Sequence, residues 1–357
     1  MDEEGIVKNS TSEGYLKYSR RRYMFLAGCL VALVVLTVLT IRLGDTGLSY
    51  GEILGYLFHP DDSWESAVVW DLRLRVILAT VVAGAALGVS GAVMQCLLRN
   101  PMASPFTLGI SNAAAFGAAF AILFLDGGTI TMATGMIALD EPLVVTIFAF
   151  IFAMGATLLM LGIVKVTDIS PESIVLAGMA ISSIFSALLS FLQYMADSTK
   201  LSSIVGWQFG SVSRITWNEE IALIVVLIAV AAYYLWKRWD YNSMEAGEDV
   251  AKGLGVNIGR TRMVGLTLSA VLTATVVSFM GIIGFVGLIA PHIVKKFVGT
   301  DNRFVIPGSM IVGGMVMIIA YVVSCYAFPS VIPIGIITSA VGGPMFIAIL
   351  IGRRKRR

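Results

Sequence analysis

The chain has 357 residues, of which 57% are hydrophobic and only 13% charged, against about 25% charged in soluble domains. With a mean hydropathy of +0.86, it lacks the polar surface that a soluble enzyme, a nucleic-acid binder or a disordered scaffold requires. The net charge of +2 excludes little, because in a membrane protein it is the placement of charge that informs.

Residues 1–22 are polar and end in Arg20, Arg21 and Arg22, which predicts a cytoplasmic tail. The apolar run 23–41 follows without a small-residue cleavage site and is read as a retained first span. Further apolar runs fall at 76–97, 103–125, 142–164, 172–195, 218–236, 263–280, 282–294, 304–327 and 334–351. A span needs about 20 apolar residues, so the pattern predicts an all-α membrane protein. It is read as a single transmembrane domain, a ten-helix polytopic bundle over 1–357. Asn100-Pro101 and Pro105 predict a turn after the second span.

Alternating crossings from a cytoplasmic N-terminus place 20 of the 25 basic residues inside. Arg42, Arg73, Arg75, Lys200 and Arg214 alone stay outside. The positive-inside rule therefore puts both termini in the cytoplasm, with a basic tail at 352–357 and one large internal cytoplasmic segment at 237–262. Residues 263–294 lie between basic clusters and must cross twice in fewer residues than two full spans need. Gly281, Gly284 and Gly287 predict short, broken helices there, buried against protein. The small-residue run Val82 to Ala92 predicts helices in close contact.

Each Asp, Glu, Lys and Arg is placed at or beyond a span end, with Glu219 and Glu220 at the outer rim of the sixth span. A charge at the bilayer centre costs about 2.5–3.5 kcal/mol on insertion scales, and ion-driven transporters usually accept that cost for a coupling site. No such residue is visible, although a sodium site of carbonyls and hydroxyls keeps an ion-coupled secondary carrier open as an alternative, beside a non-transporting scaffold. No G-x-x-x-x-G-K-[ST] phosphate loop occurs, so an ATPase would have to be a separate subunit with a landing surface on 237–262. Within that segment, Glu245 to Gly255 reads as a short, glycine-closed helix, acidic at its start as the helix dipole prefers. A solvated loop and a docking helix both fit it.

Gly178, Ser182, Ser186 and Ser190 recur every four residues on one face of the fifth span, with Tyr194 continuing the row. They fit a weakly binding path or ordinary small-residue packing. Pro291-His292 reads as a helix terminus near Lys295 and Lys296 ahead of a pH-sensor or ligand role, and Trp70, Trp207 and Trp217 as an outer aromatic belt. Cys29, Cys96 and Cys325 have no metal-type spacing and are predicted as buried small hydrophobes. With His59 and His292 as the only histidines, neither a metal site nor a catalytic triad is predicted.

Several separated blocks resemble the FecCD-type permeases, the membrane subunits of binding-protein-dependent ABC importers for iron-siderophores, haem and vitamin B12. They include Gly84-Ala85-Ala86-Leu87 through Gln95, Leu98-Arg99-Asn100-Pro101-Met102-Ala103-Ser104-Pro105, Leu108-Gly109-Ile110-Ser111, Gly281 to His292, and Pro333 to Thr338 with Gly342-Gly343-Pro344. The resemblance covers about Trp70 to the C-terminus. It implies a type II ABC importer permease in the cytoplasmic membrane, not an enzyme, that moves iron(III)-siderophore-type chelates, with cobalamin or haem as alternative cargo. The implied partners are a second copy of itself or a close paralogue, two cytoplasmic ABC ATPase subunits that bind ATP and Mg, an external solute-binding protein and the bilayer, with no nucleic acid and no cofactor in this chain.

The resemblance further implies that Gly247, Glu248, Ala251, Leu254 and Gly255 belong to an ATPase-coupling helix, and that Ser182, Ser186 and Ser190 with Gly178 lie on a helix used for translocation. Arg73 matches the first arginine of the family's Arg-Leu-Pro-Arg motif and is expected, with Arg75, to dock the binding protein. Here the motif reads Arg73-Leu74-Arg75, without the proline and with the second arginine one position early. Cys325 stands where some relatives have a docking arginine.

Overall fold

The computed structural model describes residues 3–44, 47–125, 142–167 and 170–354. Among them the chain forms fifteen α-helices in this order: α1 (Glu3–Arg42), α2 (Tyr50–Phe58), α3 (Trp64–Ala67), α4 (Arg75–Leu97), α5 (Ile110–Phe124), α6 (Pro142–Thr167), α7 (Pro171–Met195), α8 (Ser198–Gln208), α9 (Trp217–Trp236), α10 (Arg238–Ala246), α11 (Glu248–Gly253), α12 (Ile258–Met280), α13 (Val286–Val298), α14 (Asn302–Tyr326) and α15 (Ile334–Arg354). A π-helical stretch, Val68–Leu74, fuses α3 to α4. Ten of these helices coincide with the ten apolar runs. Seven helical stretches are long and apolar enough to cross a membrane, and α5, α13 and the apolar part of α15 are the shorter members. The last three residues of the predicted basic tail, 355–357, lie outside the described residues.

Polar caps mark where the chain enters several of these helices. Ser170 caps α7 ahead of Pro171, Asp197 caps α8, Asn257 caps α12 and Asp301 caps α14. Thr216 and Glu219 close a reciprocal capping box on α9. Each side chain accepts a hydrogen bond from an N–H that has no partner within its helix.

α4 is the central helix, packed against α14, α12, α13 and α9, and every residue from Ala83 to Leu98 is buried. Its glycines allow this. Gly84 lies against the Gly313 backbone of α14, Gly88 against the Ser309 carbonyl, and Gly91 against Gly287 of α13, each so closely that a Cβ would overlap main-chain atoms. In lipid, where apolar burial does not drive helices together, such backbone approach is a main source of association through dispersion contacts.

Residues 263–294 differ from the expectation of two broken helices. α12 starts at Ile258 and takes Arg260 and Arg262 into its first turns, so its 23 residues suffice for a full crossing. Only α13 is short, its 13 residues reaching about 20 Å at 1.5 Å per residue. The chain reverses between them through Gly281 (φ +80°) and Phe285 (φ +66°). This reversal is enclosed by protein: the Ser211 N–H donates to the Met280 carbonyl at 2.6 Å and the Gly335 N–H to the Phe209 carbonyl at 3.1 Å. Gly210, Gly281 and Gly335, the last in the first turn of α15, let the three segments of chain touch. Irregular backbone at membrane depth persists only where protein covers it in this way.

Three smaller differences concern ends and side chains. The third span is shorter than 103–125, because Pro105–Leu108 forms a 3-10 turn and Gly109 (φ +81°) precedes α5. The first span is continuous with the polar segment from Glu3, a 40-residue helix of about 60 Å. Of the cysteines, only Cys96 is fully buried, while Cys29 and Cys325 are partly exposed.

Candidate coupling surface, outer rim and translocation face

The cytoplasmic segment is rigidly mounted. α10 is anchored by Tyr241 and Met244, both fully buried, and the Cys96 thiol of α4 donates to the Tyr241 carbonyl at 3.3 Å. Gly247 turns the chain with φ +139° into α11, whose first turn holds Glu248 and Asp249. Glu248 pairs with Arg262 at 2.6 Å, and the Arg262 side chain is 2% exposed. Arg262 Nε also donates to the Leu97 carbonyl, at 3.1 Å, so one guanidinium joins α11, α12 and the end of α4. The Arg262 hydrogen bond holds the Glu248 carboxyl below the usual carboxylate range. A polar cavity of about 460 Å³ lies beside this pair, lined by Leu98, Arg99, Ser170, Pro171, Glu172, Glu248 and Arg262.

α11 closes in a Schellman arrangement. The Gly255 N–H donates to the Lys252 carbonyl and the Val256 N–H to the Ala251 carbonyl, with Gly255 at φ +80°, a conformation that glycine adopts without steric cost. Ala251 is the buried seat of the helix, whereas Leu254 is 70% exposed and Val250 49%. Gly247, Glu248, Ala251, Leu254 and Gly255 therefore come together in one knob, with an acidic start and two apolar side chains facing outward on the aqueous side.

The two arginines of the outer rim lie in different surroundings. Arg73 is buried, 7% exposed, and donates to the Ile41 carbonyl at the end of α1 at 3.1 Å, because the π-helical turn rotates it inward. Arg75 is half-buried and donates to the Asp71 carbonyl at 3.0 Å. Nearby, Trp217 Nε1 donates to Asp71 Oδ1 at 2.7 Å and Trp70 Nε1 to the Tyr56 carbonyl at 3.0 Å. Trp207 is instead buried, so it belongs to the packed outer end and not to a lipid-facing belt.

The serine row on α7 divides into halves. Gly178 is buried against Leu108, and Ser182 accepts from Asn112 Nδ2 at 2.8 Å, so these two pack against the 3-10 turn and α5. Ser186 and Ser190 are exposed, and Tyr194 is 89% exposed. Hydroxyls on this outward half suit protein or water better than lipid.

Sequence reasoning missed two features. Glu220 is 1% exposed, and neither carboxylate oxygen has a hydrogen-bond partner, so this acid lies inside the packed protein and not at an open rim. The second is Asp301, which accepts from Arg22, Asn242 and Arg303. Its N-cap position before an apolar run is a legible signal, but the partners come from distant parts of the chain.

Among the described residues, seven helices long enough to cross a membrane and three shorter apolar ones around a glycine-lined centre, with a compact cytoplasmic knob, define a polytopic membrane protein. Residues 32–352 match the FecCD transport family. The chain is 41% identical over 343 residues to a protein of Methanocaldococcus jannaschii provisionally named an ABC transporter permease, covering 96% of this chain and 98% of that one. It is 33% identical to the molybdate import system permease protein of Haemophilus influenzae, covering 93% and 96%. Identity to the vitamin B12 import system permease protein of Salmonella paratyphi A is 31%, with the same coverage. A solved structure provisionally described as an inward-facing metal-chelate type ABC transporter superposes with a TM-score of 0.79 at 30% identity, covering 92% of this chain and 99% of that one. This chain belongs to the FecCD transport family, and it is a multi-pass permease subunit of the cytoplasmic membrane.

Proposed function

We propose that this chain is the translocation subunit of an importer for iron(III)-siderophore-type chelates. It acts as a pair, with a second copy or a close paralogue, on two cytoplasmic ATPase subunits that bind ATP and Mg, and it receives cargo from an external solute-binding protein. The observation on which this rests is the mounted knob at Gly247–Gly255. A 70% exposed Leu254 and a 49% exposed Val250 stand outside the apolar layer on a helix pinned by a part-buried ion pair, in a chain without a phosphate-binding loop. Such a surface receives force from a partner and is too small to generate any.

In this reading, ATPase closure moves α10 and α11, and the packed helices pass that movement to α4, α12 and α14, which opens one side of the pair. Ser186 and Ser190 face the path, while Gly178 and Ser182 hold α7 on its neighbours. Arg75 is the outer-rim cation presented to the binding protein, and Arg73 secures α1 behind it. Exposed charges of this type mainly orient and accelerate encounter.

A second reading, cobalamin-type cargo, is favoured by the 31% identity to a vitamin B12 import permease. Haem is a further alternative within the same mechanism. Proteoliposomes with the cognate ATPase and binding protein, offered a ferric siderophore, cobalamin, haem or molybdate in parallel, test the assignment. Nucleotide-dependent accumulation of the ferric siderophore is expected; accumulation of another cargo alone would overturn the substrate and leave the mechanism in place.

A further inference from the structure

Asp301 stands at the cytoplasmic mouth of α14, 39 residues beyond the end of the cytoplasmic segment 237–262, yet it is bonded directly to that segment. Asn242 of α10 donates through Nδ2 to Asp301 Oδ1 at 3.0 Å. In return, Asn242 Oδ1 accepts from the Asn302 backbone N–H at 2.7 Å. The amide thus closes a two-way clasp on the first turn of α14, using the Asp301 side chain and one of the helix's own unsatisfied donors. A single hydrogen bond would permit hinging; a reciprocal pair fixes both separation and angle.

The same carboxylate gathers two cations. Arg22 of α1 approaches Asp301 Oδ2 at 3.2 Å with its own side chain only 7% exposed, and Arg303 reaches the same oxygen at 2.7 Å. Both guanidinium groups also pack on rings: Arg22 lies 5.2 Å from the Phe304 ring centre, and Arg303 lies 4.8 Å from that of Trp239, a second residue of α10. Burial opposes ionisation of Asp301, but the hydrogen bonds from Arg303 and Asn242 prevail and hold its carboxyl below the usual range. One charged group, 14% exposed at its side chain, therefore joins α1, α10 and α14.

The joint is placed where a transmission element would be. α14 has the most extensive contact with α4 of any helix pair, through the Gly84–Gly313 and Gly88–Ser309 approaches. By contrast, α11 meets α12 through the Glu248–Arg262 pair and a four-residue turn. A push on α10 has three exits: along the chain into α12, through the Cys96–Tyr241 bond into α4, or across the clasp into α14.

We propose that the Asn242–Asp301 clasp is the positioning device through which movement of the coupling segment reaches α14 and, with Arg22, α1. Asp301 and Asn242 touch neither cargo nor nucleotide; they act by keeping α10 and α14 a single moving unit. The inference rests on the coupling role proposed above for Gly247–Gly255.

The test uses the full transporter in proteoliposomes, comparing Asn242→Asp, Asp301→Asn and the double exchange. Asn242→Asp removes the donor and sets two carboxylates against one another; Asp301→Asn removes the negative charge that Arg22 and Arg303 share and one of its two acceptor oxygens. The exchange restores a carboxylate opposite an amide and keeps an acceptor for the Asn302 N–H. Membrane level and co-purification of the ATPase are measured first, because Leu254 and Val250, not the clasp, form the landing surface. Each single variant is expected to retain both while transport per ATP hydrolysed falls at least about tenfold, and the exchange is expected to recover most of it, as coupled neighbours do in a double-mutant cycle. Single variants with normal transport per ATP, or a double exchange no better than either single, would overturn the clasp. Failure of the wild-type chain to bind the ATPase would instead overturn the coupling reading itself. Should one single variant fail to accumulate, the other and the exchange decide the matter.

Discussion

Around Arg262 the cytoplasmic segment is organised by one buried cation with two anchors, Glu248 and the Leu97 carbonyl. Removing one partner of such a pair costs more than the pair's net worth, because the remaining charge stays desolvated. Glu248 is 34% exposed at its side chain, so water offsets part of that loss. Glu248→Gln is expected to destabilise the segment by about 1–3 kcal/mol, read as faster hydrogen exchange over 244–262. The carboxyl is held below its ordinary value of 4.5. Its contribution is therefore complete above pH 4.5 and is lost as pH falls through the lower folded value. Acid unfolding of the wild type should steepen below pH 4.5 relative to Glu248→Gln; parallel curves would contradict the assigned pair.

The elements follow from features visible in the sequence to different degrees. The ten apolar runs each became a helix because length and hydropathy alone decide whether a segment can satisfy its backbone in lipid. The ends were less legible. Arg260 and Arg262 read as cytoplasmic charges, but Arg262 is drawn into α12 because Glu248 lies within reach to neutralise it, a pairing that spacing does not reveal. In the same way, the i, i+4 row on α7 was visible but its division into a packed half and an open half was not, since that depends on Leu108 and Asn112 arriving from another part of the chain. Arg73 turned inward for the local reason that a π-helical turn changes the angle per residue.

Three substitutions test the elements directly. Gly91→Val would force a Cβ into the Gly287 backbone, beyond the about 1–3 kcal/mol of ordinary overpacking, and the chain is expected not to accumulate. Gly155→Ala, with no atom within 4 Å of the added carbon, is expected to accumulate normally; equal behaviour of the two in membrane fractions would contradict the glycine seam. Leu254→Glu alters a side chain that packs little against its own protein. Membrane levels should hold while ATPase co-purification weakens at least about tenfold, or about 1.4 kcal/mol. Unchanged co-purification would remove Leu254 from the landing surface.

For the molecule as a whole, the structure separates the tasks by depth. The centre is rigid, built on glycine contacts around α4; the cytoplasmic side presents a knob on a charged mount; and the outer half of α7 is left open, with Ser186, Ser190 and Tyr194 facing away from the subunit. Glu220 is the exception, a buried acid near the outer end of α9, but a single carboxylate there forms no chain of titratable groups through the bundle. The whole arrangement is that of a conduit moved from outside itself. The decisive measurement is solute accumulation in sealed vesicles, with and without the ATPase and with ion gradients collapsed by ionophores. The account predicts accumulation that requires the ATPase and its nucleotide and is indifferent to the gradients. Accumulation by this chain alone, or its loss on collapsing the gradients while ATP is present, would contradict it.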